Sequence, residues 1–166
     1  VQNYLGSIST VKTEPSQTPE FELPSIHAKI EERNKAQSAQ TLGFITCNYA
    51  HPDYEPLKVF QNIVSGMGGR LWTEVRDKRS LAYTVYGYQN STALGGTFLC
   101  YMATNPENAL LAREVVLEVI TDFADQPLTE DELNRSKNYT AGSFSIYLQS
   151  NSTKADTYGR WELMGK

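Results

Sequence analysis

Apolar and polar positions follow two different periods along this chain, and the switches between them mark its elements. Ala28 and Ile30 share one side of an otherwise charged stretch, so His27 to Arg33 is expected to form a strand. Gln40 to Tyr49 carries Leu42, Phe44, Ile45, Cys47 and Tyr49, apolar on both sides of an extended chain, which predicts a second strand at a sheet centre. The short polar link Asn34-Lys35-Ala36-Gln37 predicts that these two strands pair as a hairpin. The period then lengthens. After His51-Pro52-Asp53-Tyr54-Glu55-Pro56, with its acids and prolines suited to a first helical turn, Leu57, Phe60, Val64 and Met67 fall at helical spacing. That helix is expected to stop in Gly66-Met67-Gly68-Gly69, and a short amphipathic helix to follow from Arg70 to about Lys78.

Tyr83 to Tyr88 and Thr97 to Ala103 read as strands on either side of a turn at Gly95-Gly96. Asn105-Pro106-Glu107 opens a further helix with proline at its first position, and Ala112, Val116, Val119, Ile120 and Phe123 make its apolar stripe. Pro127 ends it. Thr129-Glu130-Asp131-Glu132 has the form of a capping box before a helix through Leu133, Ser136, Thr140, Phe144, Tyr147 and Leu148. Asn151 to Lys166 reads as a last helix. Ahead of all this, Val1 to Leu5 followed by Gly6 resembles a last helical turn, and residues 7–25 are rich in Ser, Thr, Gln and Pro. The expected division is therefore an upstream helix end plus linker over residues 1–25, and one domain over residues 26–166. Paired strands alternating with runs of helices predict an α+β fold, an antiparallel sheet with helices packed on one face.

Composition narrows the function classes. At 40% apolar residues the chain can bury a core. Nineteen acidic residues against fifteen basic ones give a net charge of −4, which argues against a general electrostatic grip on nucleic acid or anionic lipid. No apolar run approaches the roughly 20 residues of a membrane span. Cys47 and Cys100 form no CxxC pair, and His27 and His51 form neither HExxH nor HxxEH, so no metal site is expected here and a self-contained zinc peptidase is excluded.

One segment stands apart: Arg70-Leu71-Trp72-Thr73-Glu74-Val75-Arg76-Asp77-Lys78-Arg79-Ser80-Leu81-Ala82-Tyr83-Thr84-Val85. It resembles the R-L-F/Y-x-E-V/L-R-E-K/Q-x-G-L-A-Y-x-V/I segment of the second half of pitrilysin/insulinase peptidases, the inverzincins or M16 peptidases, which include the mitochondrial processing peptidase. Gly69 stands where that pattern often has Ser, and Ser80 where it often has Gly. Thr104-Asn105-Pro106-Glu107-Asn108 resembles the family's T-x-P-E-N, and Leu128 to Asn138 its helix that begins I/L-T-x-E-E-L. The likeness runs from roughly Phe21 to the end.

The resemblance implies a division of labour between two homologous halves around a chamber. One half holds zinc through HxxEH and a distant Glu; the other has lost these ligands and supplies an Arg and a Tyr, which here are Arg76 and Tyr83. A phenol, with a reference pKa of about 10, can donate a proton to an oxyanion, and a guanidinium offers a planar fork to a carbonyl. The implied partners are a peptide or unfolded-protein substrate and the metal-bearing half, in the same chain or a separate subunit, with self-association of the isolated domain also expected. Gly66, Gly68 and Gly69 fall where the processing peptidase has a glycine-rich substrate loop, which implies a substrate contact there. Taken singly, Arg76 reads as a solvated helix charge, Tyr83 as a strand aromatic and the glycines as a helix stop. The rival to the peptidase reading is a structural or peptide-binding subunit of the same fold.

Overall fold

A computed structural model describes residue 25, residues 27–66 and residues 68–165. The expectations for residues 1–24, and for Met67 in the first helix's stripe, lie outside the described residues. The chain divides into two units between Glu32 and Arg33.

The strand expected from His27 to Arg33 does not form. These residues are irregular and exposed, Ile30 among them at 87%. Two apolar side chains among four charges offer little to bury, and an extended segment without a ladder leaves its backbone groups to water. The expected hairpin with the next strand is absent too.

From Arg33 onward, three strands form one antiparallel sheet. They are β1 (Ser38–Thr46), β2 (Ala82–Ser91) and β3 (Gly96–Thr104), in the order β1-β3-β2. The central strand is thus β3, and β1, expected at the centre, lies at an edge. The reason is in the burial. Along β3, Phe98, Cys100, Met102 and Thr104 are buried on one face while Leu99, Tyr101 and Ala103 are half-buried on the other. Along β1, half-buried Gln40, Leu42 and Phe44 alternate with exposed Ala39, Thr41, Gly43 and Ile45. In the β1–β3 ladder Leu42 stands opposite Cys100. Cys47 lies beyond the end of β1, five residues further on, about 17 Å along an extended chain. Both cysteines are free, and burial pushes the Cys100 thiol up to about 12, so it is no nucleophile at neutral pH.

The inward face of the sheet packs on helices. Those against the sheet are α1 (Tyr54–Ser65), a π-helix at Trp72–Asp77 and α2 (Ala109–Asp125), the last entered by a 3-10 turn at Pro106–Asn108; α3 (Glu130–Tyr147) and α4 (Asn151–Met164) follow in the chain. The core gathers Val64 from α1, Val75 from the π-helix, Val85 from β2, Met102 from β3 and Val116 from α2. The Phe60 ring lies between two others, tilted against Phe98 at 5.2 Å and edge-on to Phe123 at 4.8 Å between centroids. The stripes read for α1 and α2 are their buried or half-buried sides, whereas in the stripe read for α3 Ser136 is buried and Phe144 and Tyr147 are exposed. The capping box is reciprocal: the Thr129 hydroxyl accepts from the Glu132 N–H, and the Glu132 carboxylate accepts from the Thr129 N–H. Helix α3 sits on α1, tied by Ser136 Oγ donating to the Val59 carbonyl at 2.8 Å and Asn62 Nδ2 donating to Thr140 Oγ1 at 2.6 Å.

Helix α1 also covers the outer edge of β2. Gly87 N–H donates to Ser65 Oγ at 2.8 Å, and Gln89 N–H to Gln61 Oε1 at 2.7 Å. The sheet's other face is open and carries Tyr86, Tyr88 and Tyr101, with the Tyr86 and Tyr101 rings 5.2 Å apart.

Candidate functional site

The segment with the distinctive motif folds as a helical turn, a reversal and a strand start. Its expected helix is present but winds as a π-helix over Trp72–Asp77, with Lys78 N–H donating to the Thr73 carbonyl five residues back. Ser80 closes the turn at φ 52°, a left-handed conformation that glycine adopts more cheaply. There the Ser80 N–H reaches the Arg76 carbonyl and the Leu81 N–H the Val75 carbonyl, both at 2.9 Å. Strand β2 then begins with a bulge. Ala82 pairs with Thr104 and Thr84 with Ala103, which leaves Tyr83 between them without a ladder partner. A bulge re-aims its side chain, and Tyr83 points outward at 75% exposure.

These turns bring Arg76 and Tyr83 together. Arg76 Nη1 donates to the Tyr83 carbonyl at 3.3 Å, and its Cζ stands 4.8 Å from the Tyr83 ring centroid. On its other contact the guanidinium lies 3.9 Å from the Trp72 ring. Both residues line an open cavity of about 500 Å³, walled by Ser80, the end of β3 at Ala103 and Thr104, Asn105 and Gln37.

Three arginines lie in this segment and their partners differ. Arg70 makes a two-pronged bond to Glu132, Nε to Oε1 at 2.7 Å and Nη2 to Oε2 at 2.9 Å, over the Phe123 ring. Arg79 and Lys78 both hold Glu74, and those bonds keep its carboxyl below the usual range. Arg76 pairs with no carboxylate among the described residues; its contacts are two rings and one carbonyl. Its remaining donors are available to a ligand. A second hollow of about 530 Å³ is lined by Arg70, Glu74, Arg79, Asp122 and Glu132, but its arginines are already neutralised by the carboxylates beside them.

The glycines lie apart from the Arg76–Tyr83 cavity. Gly66 caps α1, Gly68 is left-handed at φ 76°, and Gly69 is buried, with room for a Cβ denied by the Gly66 and Val64 carbonyl oxygens at 2.7 and 2.8 Å. They border a hollow between α1 and α3 with Asn62, Arg135 and Tyr139. Among the described residues no three His, Cys, Asp or Glu side chains are placed to hold a metal ion, so the donors here do not fit zinc. Sequence reasoning missed Trp72 as a partner of Arg76. Its position one helical turn ahead of Arg76 was the available signal.

A family model described as the peptidase M16 inactive domain matches residues 1–140. The uncharacterized zinc protease YmxG of Bacillus subtilis (strain 168) is 29% identical over 166 residues, 99% of this chain and 40% of that protein. The crystal structure of a peptidase M16 inactive domain from Pseudomonas fluorescens, 27% identical, matches with a TM-score of 0.69 over 76% of this chain and 31% of that one. A protease from Helicobacter pylori shares the fold at 17% identity, with a TM-score of 0.80 over 99% of this chain and 41% of its own. The chain therefore spans less than half of each of these three proteins. The motif read from the sequence, the α+β sheet and the family match over most of the length agree: this chain belongs to the peptidase M16 inactive-domain family.

Proposed function

We propose that this domain serves peptide-bond cleavage by holding and stabilising the substrate carbonyl, with Arg76 and Tyr83 as the working pair. The observation that carries the reading is the contrast among the arginines. Arg70 and Arg79 are bound to carboxylates, while Arg76 is left with a carbonyl and two rings beside an exposed phenol in one cavity. When a peptide carbonyl is attacked, its oxygen becomes an oxyanion. The Tyr83 hydroxyl donates a hydrogen bond to that developing charge, and Arg76 holds a neighbouring substrate carbonyl through its free N–H groups. Zinc, which the relatives' names carry, belongs in this reading to the other half of the protein, in the same chain or in a partner subunit. The substrate is a peptide or an unfolded protein segment. Gly66, Gly68 and Gly69 each answer a backbone demand and, in this reading, also contact the substrate.

Steady-state kinetics on the complete protein, with its metal-bearing half, test the reading. Tyr83→Phe keeps the ring and removes only the donor, so kcat is expected to fall by about 2–4 kcal/mol of transition-state stabilisation with KM little changed. Arg76→Lys is expected to recover little of the loss in Arg76→Ala, because an ammonium lacks the planar fork. Unchanged turnover in Tyr83→Phe, at full zinc content and wild-type melting temperature, favours the rival, a structural or peptide-binding subunit.

A further inference from the structure

We infer that Trp72 is a positioning residue for Arg76; the inference rests on the proposed function, which it deepens. The Arg76 guanidinium lies 3.9 Å from the Trp72 ring centroid and 4.8 Å from that of Tyr83. No carboxylate among the described residues fixes this side chain, and its single hydrogen bond, to the Tyr83 carbonyl, is 3.3 Å long. An arginine tethered only by that bond would sample many rotamers in an open cavity. The rings supply the constraint that an ion pair supplies to Arg70 and Arg79. They do so without consuming N–H donors, because a ring attracts the cation through its face while the donors lie in the guanidinium plane.

The local fold explains why Trp72 is the residue in place. Trp72 and Arg76 stand four apart on the π-helix, about one turn, so their side chains meet on one side of it. Trp72 is half-buried beside the fully buried Leu71 and Val75, which anchor its backbone to the core. Tyr83 approaches Arg76 because the bulge turns it out of the ladder. Trp72 thus links the core to the donor set. Of the aromatic side chains it binds a cation most strongly, and phenylalanine retains part of that attraction.

The test is a double-mutant cycle on the complete protein, measuring kcat and KM at full zinc content. Trp72→Ala is expected to lower kcat/KM roughly 3- to 30-fold, the range of one cation–π contact, and Trp72→Phe to restore most of it. In an Arg76→Ala background, Trp72→Ala is expected to cost nothing further, since it acts through Arg76. A purely structural role for Trp72 predicts the same fold loss in both backgrounds and follows the melting temperature. A second readout needs no activity: in protein labelled at arginine with 13C, ring currents are expected to shift the Arg76 side-chain protons upfield, less so in Trp72→Phe and not at all in Trp72→Ala. Equal losses in both backgrounds, or no upfield shift in the wild type, would overturn the inference while leaving the role of Arg76 intact. A silent Arg76→Ala with the upfield shift present would instead remove the proposed function and keep the stacked geometry.

Discussion

Glu132 joins the π-helical segment to α3 through one carboxylate. It accepts from Arg70 Nε and Nη2, and from the Thr129 N–H and hydroxyl at 3.0 Å each. The Arg70 bonds, followed by those from Thr129, hold its carboxyl down to about 2 against an ordinary value of 4.5, although burial opposes them. A carboxyl depressed in the folded state stabilises the fold above its unfolded value. The contribution is complete above about pH 5.5 and is lost as pH falls from there toward 2. With the side chain only 17% exposed, it amounts to about 3 kcal/mol at neutral pH. Urea midpoints measured from pH 7 to pH 3 are therefore expected to fall, and Glu132→Gln to start lower and fall less. Parallel curves for the two proteins would show that this pair does not carry the acid sensitivity. The pairing was not legible in the sequence. Arg70 and Glu132 are 62 positions apart, and Thr129 explained Glu132 fully as a local cap.

The turn from β2 to β3 shows how an element can depend on one missing side chain. A Cβ on Gly96 would collide with the Cys47 carbonyl oxygen and lie 2.7 Å from Thr46 Oγ1, where β1 ends against β3. A backbone atom cannot step aside as a side-chain end can. Gly96→Ala is expected to destabilise the chain by about 1–3 kcal/mol. Gly95→Ala, with nothing within 4 Å of its Cβ, is expected to be nearly silent. Equal denaturation midpoints for the two variants would refute the steric account. The sequence marked this glycine pair as a turn without distinguishing its members, because the obstacle to Gly96 comes from residues 46 and 47. The π-helix was similarly legible as a helix and not as a π-helix. Apolar spacing over six residues cannot separate the two windings, which differ by one hydrogen-bond step.

The assembled domain leaves the distal ends of α3 and α4 short of cover. Ile146, Tyr147 and Leu163 are exposed, the last at 88%, and Trp161 lies 5.9 Å from the Phe144 ring, tilted, and 5.9 Å from the Tyr158 ring, edge-on, without being buried by them. Such a patch favours association. Purified alone, the chain is expected to show a sedimentation coefficient that rises with concentration, and Ile146→Ser with Leu163→Ser to reduce the rise. A coefficient independent of concentration up to the millimolar range would show that the patch is inert. Self-association was expected from the sequence, but not that the ends of these two helices would carry the apolar surface. Phe144 and Tyr147 were read as stripe residues, and whether a stripe is covered depends on what packs there.

What depends on near neighbours could be read along the chain: the stop of α1 at Gly66, the capping box at Thr129, the apolar stripes of α1 and α2, the α+β class and the motif from Arg70 to Val85. These follow from spacing and from side chains that satisfy backbone groups within a turn. What depends on distant partners was set by the packed fold. It put β3 rather than β1 at the sheet centre and left His27 to Arg33 without a ladder. It turned Tyr83 out on a bulge, and it gave Arg70 a carboxylate from 62 positions away, Glu132. A strand's place is set by which faces its neighbours can bury, and a charge's availability by which opposite charges the fold brings within reach. Neither is encoded in the few residues around it.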